Sequence, residues 1–421
     1  VLLRAVKIIA LNYELFVAKR IISGKEHKSS ISSPIIKIAI AAISLGVIIM
    51  LIAIATGEGL REKIRSKMSG FKGHIQITKY DANNSDVSVM PISKNQKFYP
   101  TFSNIKGIKN VQVYANQVGL IRTKTDFEGI VFKGVSTDYD WTFFKEYLIE
   151  GRIPDFNQKR TRDVLLSKTI VNRLQLQLND TINVTFFKNK ASKLPSNRKL
   201  VITGIYNTGF LEFDKNIMIG DIRQVQRLNR WNENEVGGFE VILENFDELE
   251  QKGTEIYKEI DATLDATTIA SNYPGLFEWI ELFDNNTWFI IIIMILVAGI
   301  NMITALLVLI LERIPMVGIL KAMGSSNWSI RKIFLYNASY LIFVGLFWGN
   351  LIGLLLLFLQ KYGRFITLDP ATYYVSEVPI SIDFLTVVFV NIGTLVLCFL
   401  MLIIPSVIIT KIQPSKSIRF A

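Results

Sequence analysis

Apolar residues in this chain are gathered into four long runs. Residues 34–56, 288–311, 333–359 and 384–410 are each long enough to cross about 30 Å of bilayer hydrocarbon, which takes about 20 residues of helix. The pattern predicts four transmembrane helices, with the first retained as an anchor and not cleaved as a signal. Residues 57–287, between the first two runs, read differently. Alternating stretches at 74–78 (HIQIT), 182–186 (INVTF) and 200–205 predict strands, whereas 166–178 and 246–264 predict helices. The fold class expected is an α-helical membrane protein with a large mixed α+β domain inserted between helices 1 and 2. Residues 59–68 and 274–286 flank that domain as helical continuations of the spans, forming a stalk. Ahead of the first span, within residues 1–33, the stretch 13–22 (YELFVAKRII) sets Leu15, Phe16, Ile21 and Ile22 among Lys19 and Arg20. That pattern suits a helix lying in the membrane interface.

Charge orients the spans. The 421 residues carry a net +11, yet residues 57–287 hold 31 basic against 30 acidic side chains and the remainder 16 against 6. Positive charge beside membrane spans marks cytoplasmic segments, and it falls on residues 1–33, 312–332 and 411–421. Residues 360–383 carry two basic and three acidic side chains and belong outside. Both termini are therefore expected in the cytoplasm and residues 57–287 outside it. With the excess beside the spans, the basic balance does not point to nucleic acid.

Candidate chemistry is sparse. The single cysteine, Cys398, permits no disulfide within the chain, and His27 and His74 supply no histidine cluster for a metal or a triad. No phosphate-binding loop signature occurs. Intrinsic catalysis and a resident cofactor are not expected. The spans hold Asn301, Asn337, Asn350 and Asn391 but no deeply placed charge, which disfavours ion-coupled transport. Gly345, Gly349 and Gly353 recur every fourth residue and make one smooth helix face, for packing within the chain or between subunits.

Residues 312–332 (ERIPMVGILKAMGSSNWSIRK) carry the most information. Ile314, Val317, Leu320 and Met323 recur at helical spacing, Gly324 can end the helix, and Ser325 and Ser326 can cap the next. By spacing alone this is either a connecting turn or a short helix that docks on a soluble motor. The string Glu312-Arg313-Ile314-Pro315-Met316-Val317-Gly318-Ile319-Leu320-Lys321-Ala322-Met323-Gly324-Ser325-Ser326 resembles the coupling segment of permeases in the FtsX and MacB superfamily of ABC systems. Pro315 departs from the polar residue usual there and suits a first helical turn. The resemblance extends over nearly the whole chain and narrows to the lipoprotein-releasing permeases of the LolC and LolE type. It is carried also by Leu15 to Arg20, Ser44 to Val47, Gly59 to Ile64, Gly151-Arg152, Leu165 to Ser167, Leu178 to Asp180, Tyr373-Tyr374, Val378-Pro379 and Gln413-Pro414.

The resemblance implies an inner-membrane permease that does no chemistry itself. Its partners would be a LolD-like ATPase dimer holding ATP and Mg, a second permease protomer, a LolA-like periplasmic carrier and lipoprotein cargo. Glu312, Arg313, Ile314, Val317, Leu320, Lys321, Met323 and Gly324 would couple to the ATPase. Residues 187–199 resemble the carrier-binding hook, placing Lys188, Lys190, Lys193, Leu194, Pro195 and Arg198 there; locally they also read as a basic turn. Ile43, Val47, Met50 and Ile54 would face a cargo cavity, or pack in the core. Two relatives in function stay open: a MacB-like efflux permease and an FtsX-like transmitter that regulates cell-wall hydrolases.

Overall fold

The computed structural model describes residues 13–23, 32–80, 90–157, 160–187, 195–407 and 410. The chain falls into two compact units, one drawn from Val1–Leu60, Glu281–Ile366 and Val378–Ala421, the other from Arg61–Ile280 and Thr367–Glu377. In chain order the elements begin with helices α1 (Tyr13–Ser23) and α2 (Ser32–Lys72). Then come β1 (Ile75–Lys79), β2 (Ile92–Ser93), β3 (Ile108–Arg122), β4 (Phe127–Val135), α3 (Thr142–Tyr147), β5 (Leu148–Gly151), β6 (Asp163–Ser167), α4 (Lys168–Arg173), β7 (Thr181–Phe186) and β8 (Ser196–Tyr206). They continue with α5 (Leu211–Asp214), β9 (Ile217–Asp221), α6 (Ile222–Asn229), β10 (Glu235–Val236), β11 (Gly238–Leu243), α7 (Leu249–Glu259), β12 (Leu264–Thr268) and α8 (Ile269–Asn272). The last are α9 (Pro274–Glu312), α10 (Ile314–Ala322), α11 (Asn327–Gly363), α12 (Pro370–Tyr373) and α13 (Phe384–Ser406).

Four of the described helices, α2, α9, α11 and α13, are long and apolar enough to cross a membrane. Their shared core is made by Ile43, Val47 and Met50 of α2, Ala298, Met302 and Leu306 of α9, Ile333, Phe334 and Ile342 of α11, and Cys398 and Leu402 of α13. Much of their remaining surface is large and apolar, including Phe289, Ile293, Phe343, Phe347 and Phe389. Such an outer surface suits lipid, in which burying apolar area gives helices little reason to associate. Polar contacts and small residues then fix the packing. α1 sits against α11: Ala18 and Ile21 are buried there, and the Ser329 hydroxyl donates to Glu14 Oε1 at 3.0 Å. Leu15, Phe16, Lys19 and Arg20 face outward.

The second unit is built on a ten-stranded sheet of order β12-β1-β11-β3-β4-β9-β6-β8-β5, with β7 pairing both β3 and β8. Most pairs are antiparallel; β4 with β9 and β6 with β8 are parallel. The alternation at 75–79, 181–186 and 200–206 forms strands with Ile75, Ile77, Ile182, Val184, Leu200 and Ile202 inward. Residues 166–178, expected as one helix, divide. Leu165, Leu166 and Ser167 belong to buried strand β6, and only Lys168–Arg173 is helical, capped by the Ser167 hydroxyl, which accepts from Ile170 N at 3.2 Å. A strand covered on both faces reads as a continuous apolar run, which periodicity alone does not separate from a helix. Leu264, placed in a helix by the same reading, opens strand β12.

Candidate functional site

α10 is a single short helix whose ends are set by local chemistry. Pro315 lies in its first turn, where an N–H would have no helical partner. Gly324, with φ +92°, turns the chain out, and Ser325 N donates back to Leu320 O at 3.0 Å. The Ser326 hydroxyl then caps α11 by accepting from Ser329 N at 3.2 Å. These bonds hold α10 in a defined orientation.

That orientation divides the residues picked out by spacing. Val317 and Leu320 turn inward and are buried in the helical core, with Ile314 half-buried. Pro315, Ile319, Ala322 and Met323 turn outward, with Ile319 52% and Met323 69% exposed. Leu311 and Trp328 extend the exposed apolar surface at either end. Glu312, Arg313, Pro315, Met316, Ile319 and Leu320 line a shallow recess of about 340 Å³ beside it. Lys321 turns aside to donate to Thr410 O at 3.4 Å. The expected row Ile314, Val317, Leu320 and Met323 is thus not one face: the outward row is 311, 315, 319, 322 and 323, and only Met323 belongs to both.

The glycines and the cavity residues meet one another. A Cβ on Gly345 would lie 2.7 Å from Ile43 Cγ2, one on Gly349 2.8 Å from Val47 Cβ, and one on Gly353 3.2 Å from Leu51 Cδ1. The Ser44 hydroxyl donates to Gly345 O at 2.9 Å across the same contact. Ile43, Val47 and Met50 are fully buried in this packing and line no open cavity within the described residues; Ile54 is half-buried.

β7 and β8 form a hairpin with Phe186 opposite Ser196. Pro195 is exposed beside its tip and Arg198 is half-buried opposite Val184. Lys188, Lys190, Lys193 and Leu194 lie outside the described residues.

Two buried polar groups in the second unit escaped a reading by pattern. Lys133 on β4 and Glu240 on β11 are both buried, 2.7 Å apart. Lys133 Nζ also donates to Phe71 O near the end of α2 at 2.5 Å, and Gln112 Nε2 donates to Glu240 at 2.9 Å. Burial holds the Lys133 ammonium below the usual lysine range, with the Glu240 charge opposing that shift. Burial likewise pushes the Asp214 carboxyl up to about 6, although it accepts from the Thr208 hydroxyl and from Gly209 N. For Lys133 and Glu240 the one available signal was a charged residue among apolar neighbours in a strand; Asp214, on helix α5, gave none.

Comparison with known proteins falls on both units. The MacB-like periplasmic core domain matches residues 38–256, and the FtsX-like permease C-terminal domain matches residues 288–414. The chain belongs to this family of FtsX- and MacB-like permeases. The FtsX-like match includes α10 and its outward row. Among curated members, the lipoprotein-releasing system transmembrane protein LolC of Neisseria meningitidis serogroup B is 21% identical over 97% of this chain and 99% of its own length. LolE of Haemophilus influenzae is 18% identical over 96% of this chain and 99% of its own length. Among solved structures, the extracellular domain of the transporter YknZ from Gram-positive bacteria covers 46% of the chain and 99% of its own length, at 12% identity and TM-score 0.32. The periplasmic region of MacB from Actinobacillus actinomycetemcomitans covers 48% of the chain and 91% of its own length, at 14% identity and TM-score 0.34.

Proposed function

We propose that this permease extracts lipoproteins from the inner membrane and passes them to a periplasmic carrier, driven by ATP hydrolysis in a separate ATPase dimer. The end-to-end likeness to curated LolC and LolE proteins supports the cargo class. The observation that carries the mechanism is the outward apolar row of α10, held on a helix fastened to the spans by Val317 and Leu320. Exposed Ile319 and Met323 beside the Glu312 and Arg313 recess suit seating in a groove of a soluble motor.

ATP and Mg would be held by the motor, whose closure pushes α10. Both termini and α10 would face the cytoplasm, as the basic residues of 1–33, 312–332 and 411–421 favour, and residues 57–287 would face the periplasm. α2 and α9 are unbroken helices of 41 and 39 residues, and stiff rods are what mechanical transmission needs. The work is withdrawal of acyl chains, at about 0.8 kcal/mol per buried CH₂. The β7–β8 hairpin would receive the carrier. No covalent step is required of this chain.

The test separates the two faces of α10. Ile319→Asp and Met323→Asp should leave the protein inserted and folded but cut ATPase stimulation in the reconstituted complex by tenfold or more. Leu320→Asp should lower thermal stability instead. Full stimulation in the two outward variants would remove α10 as the docking helix. Recovery of a cell-wall hydrolase activator with the complex, and of no acylated protein, would favour the FtsX-like role.

A further inference from the structure

Residues 367–377, between α11 and α13, belong to the second unit, although the chain on either side of them belongs to the first. At its base this excursion is tied to α11. Gln360 Nε2 donates to Ile366 O at 3.1 Å and to Val378 O at 3.3 Å, and Gln360 Oε1 accepts from Ile366 N at 3.0 Å. Val378 N donates to Ile366 O at 3.1 Å and Leu368 N to Ser376 O at 3.0 Å, so the two ends are held together.

The tip is held differently. Ala371, Thr372, Tyr373 and Ser376 are exposed, Val375 is buried, and the half-buried Tyr374 ring packs on Phe210 and Trp279 with centroids 5.3 and 5.6 Å away. Among the described residues, 370–376 take one hydrogen bond from outside the excursion: Lys67 Nζ donates to Tyr374 O at 3.1 Å. Lys67 is 2% exposed, and that carbonyl is its one hydrogen-bond acceptor among the described residues. A buried ammonium needs an acceptor, and water can take the place of a carbonyl once the tip moves away. Tyr374 also has φ +59°, a left-handed backbone that costs any residue with a side chain and that relaxes on release. The tip is thus fastened by a single polar bond at a strained residue, whereas the base has the three bonds of Gln360 and a backbone pair. A pull on the chain through α11 or α13 reaches both joints, and the less bonded one opens first. Gly209 adjoins this seat: a Cβ there would lie 3.7 Å from Lys67 Nζ and 3.9 Å from Ser376 Cβ.

We propose that residues 367–377 are a releasable latch, seated by the bond from Lys67 to Tyr374 O, that leaves its seat in each ATP-driven cycle. This rests on the reading of the chain as a permease driven by a separate ATPase. The test uses the full chain co-expressed with its ATPase in native membranes, with Cys398→Ala as the cysteine-free background. Gly209→Cys with Ser376→Cys sets two thiols at the Cβ spacing of a disulfide across the seat. Oxidation should join them within one chain and cut ATP-driven release of lipoproteins by about tenfold or more, and dithiothreitol should restore it. Undiminished release by the joined protein would overturn the proposal, and so would failure of the thiols to join. A second arm needs no cargo. Val375→Cys, whose parent side chain is 2% exposed, should react with a soluble maleimide about ten times faster during ATP turnover than without nucleotide. Adding Lys67→Met should raise the nucleotide-free rate several-fold. Equal rates with and without turnover, or no effect of Lys67→Met, would likewise overturn the latch. Absence of lipoprotein release by the parent chain, with the labelling pattern intact, would mark failure of the lipoprotein reading and leave the latch standing.

Discussion

Lys133 and Glu240 lie 107 positions apart, each among apolar neighbours in its strand. Nothing in either strand announces the other. Their cost and their stabilisation both arise from burial, because a charge out of water needs a partner close by. Replacing Lys133 alone with Met should therefore destabilise the protein by about 3–5 kcal/mol, since Glu240 is left buried without its counter-ion. The double replacement Lys133→Met with Glu240→Met should recover most of that loss, and urea unfolding in detergent measures both. Equal loss in the single and double variants would mean that the two charges are not coupled. His74 shows the same dependence on context. Burial holds its imidazole down at about 4, and the neutral Nδ1 accepts from Leu243 N at 2.7 Å. In the sequence it was only one of two histidines too few to build a metal site.

At the scale of elements, the glycine row was legible as a smooth face, but its partner was not. The structure gives it α2, and the separate expectations for glycine packing and for Ile43 and Val47 become one contact. Gly349→Val should thus lower the thermal denaturation temperature in detergent, since the new side chain meets Val47 Cβ and Ser44 O at 2.8 and 3.0 Å. Overpacking of this kind costs about 1–3 kcal/mol. Gly393→Val, with nothing within 4 Å of its Cβ, should be close to neutral. Equal melting of the two variants would count against the packing. α10 teaches a related lesson. Helical spacing identified a short helix, but which residues faced the core depended on the Gly324 turn and on the body to which the helix is fastened.

At the scale of the whole molecule, the charge bias predicts the sides of the membrane, and labelling checks it. In the Cys398→Ala background, a membrane-impermeant maleimide applied from outside the inner membrane should label Thr125→Cys in intact spheroplasts. Met323→Cys should react only after lysis. Both parent side chains are exposed. The reverse pattern would invert the topology. Four apolar runs, the basic residues gathered beside them and the existence of a mixed domain were legible from local composition, because hydrocarbon thickness and the positive-inside bias act on short stretches of chain. The family resemblance was carried in the same way by a contiguous string around residues 312–324. Tertiary structure alone decided that 163–167 is a buried strand, that residues 367–377 of the loop before α13 join the second unit, and that Ile43 and Val47 rest on glycines. Those outcomes depend on what lies opposite each residue, and burial and partnership between distant positions leave no periodic trace along the chain.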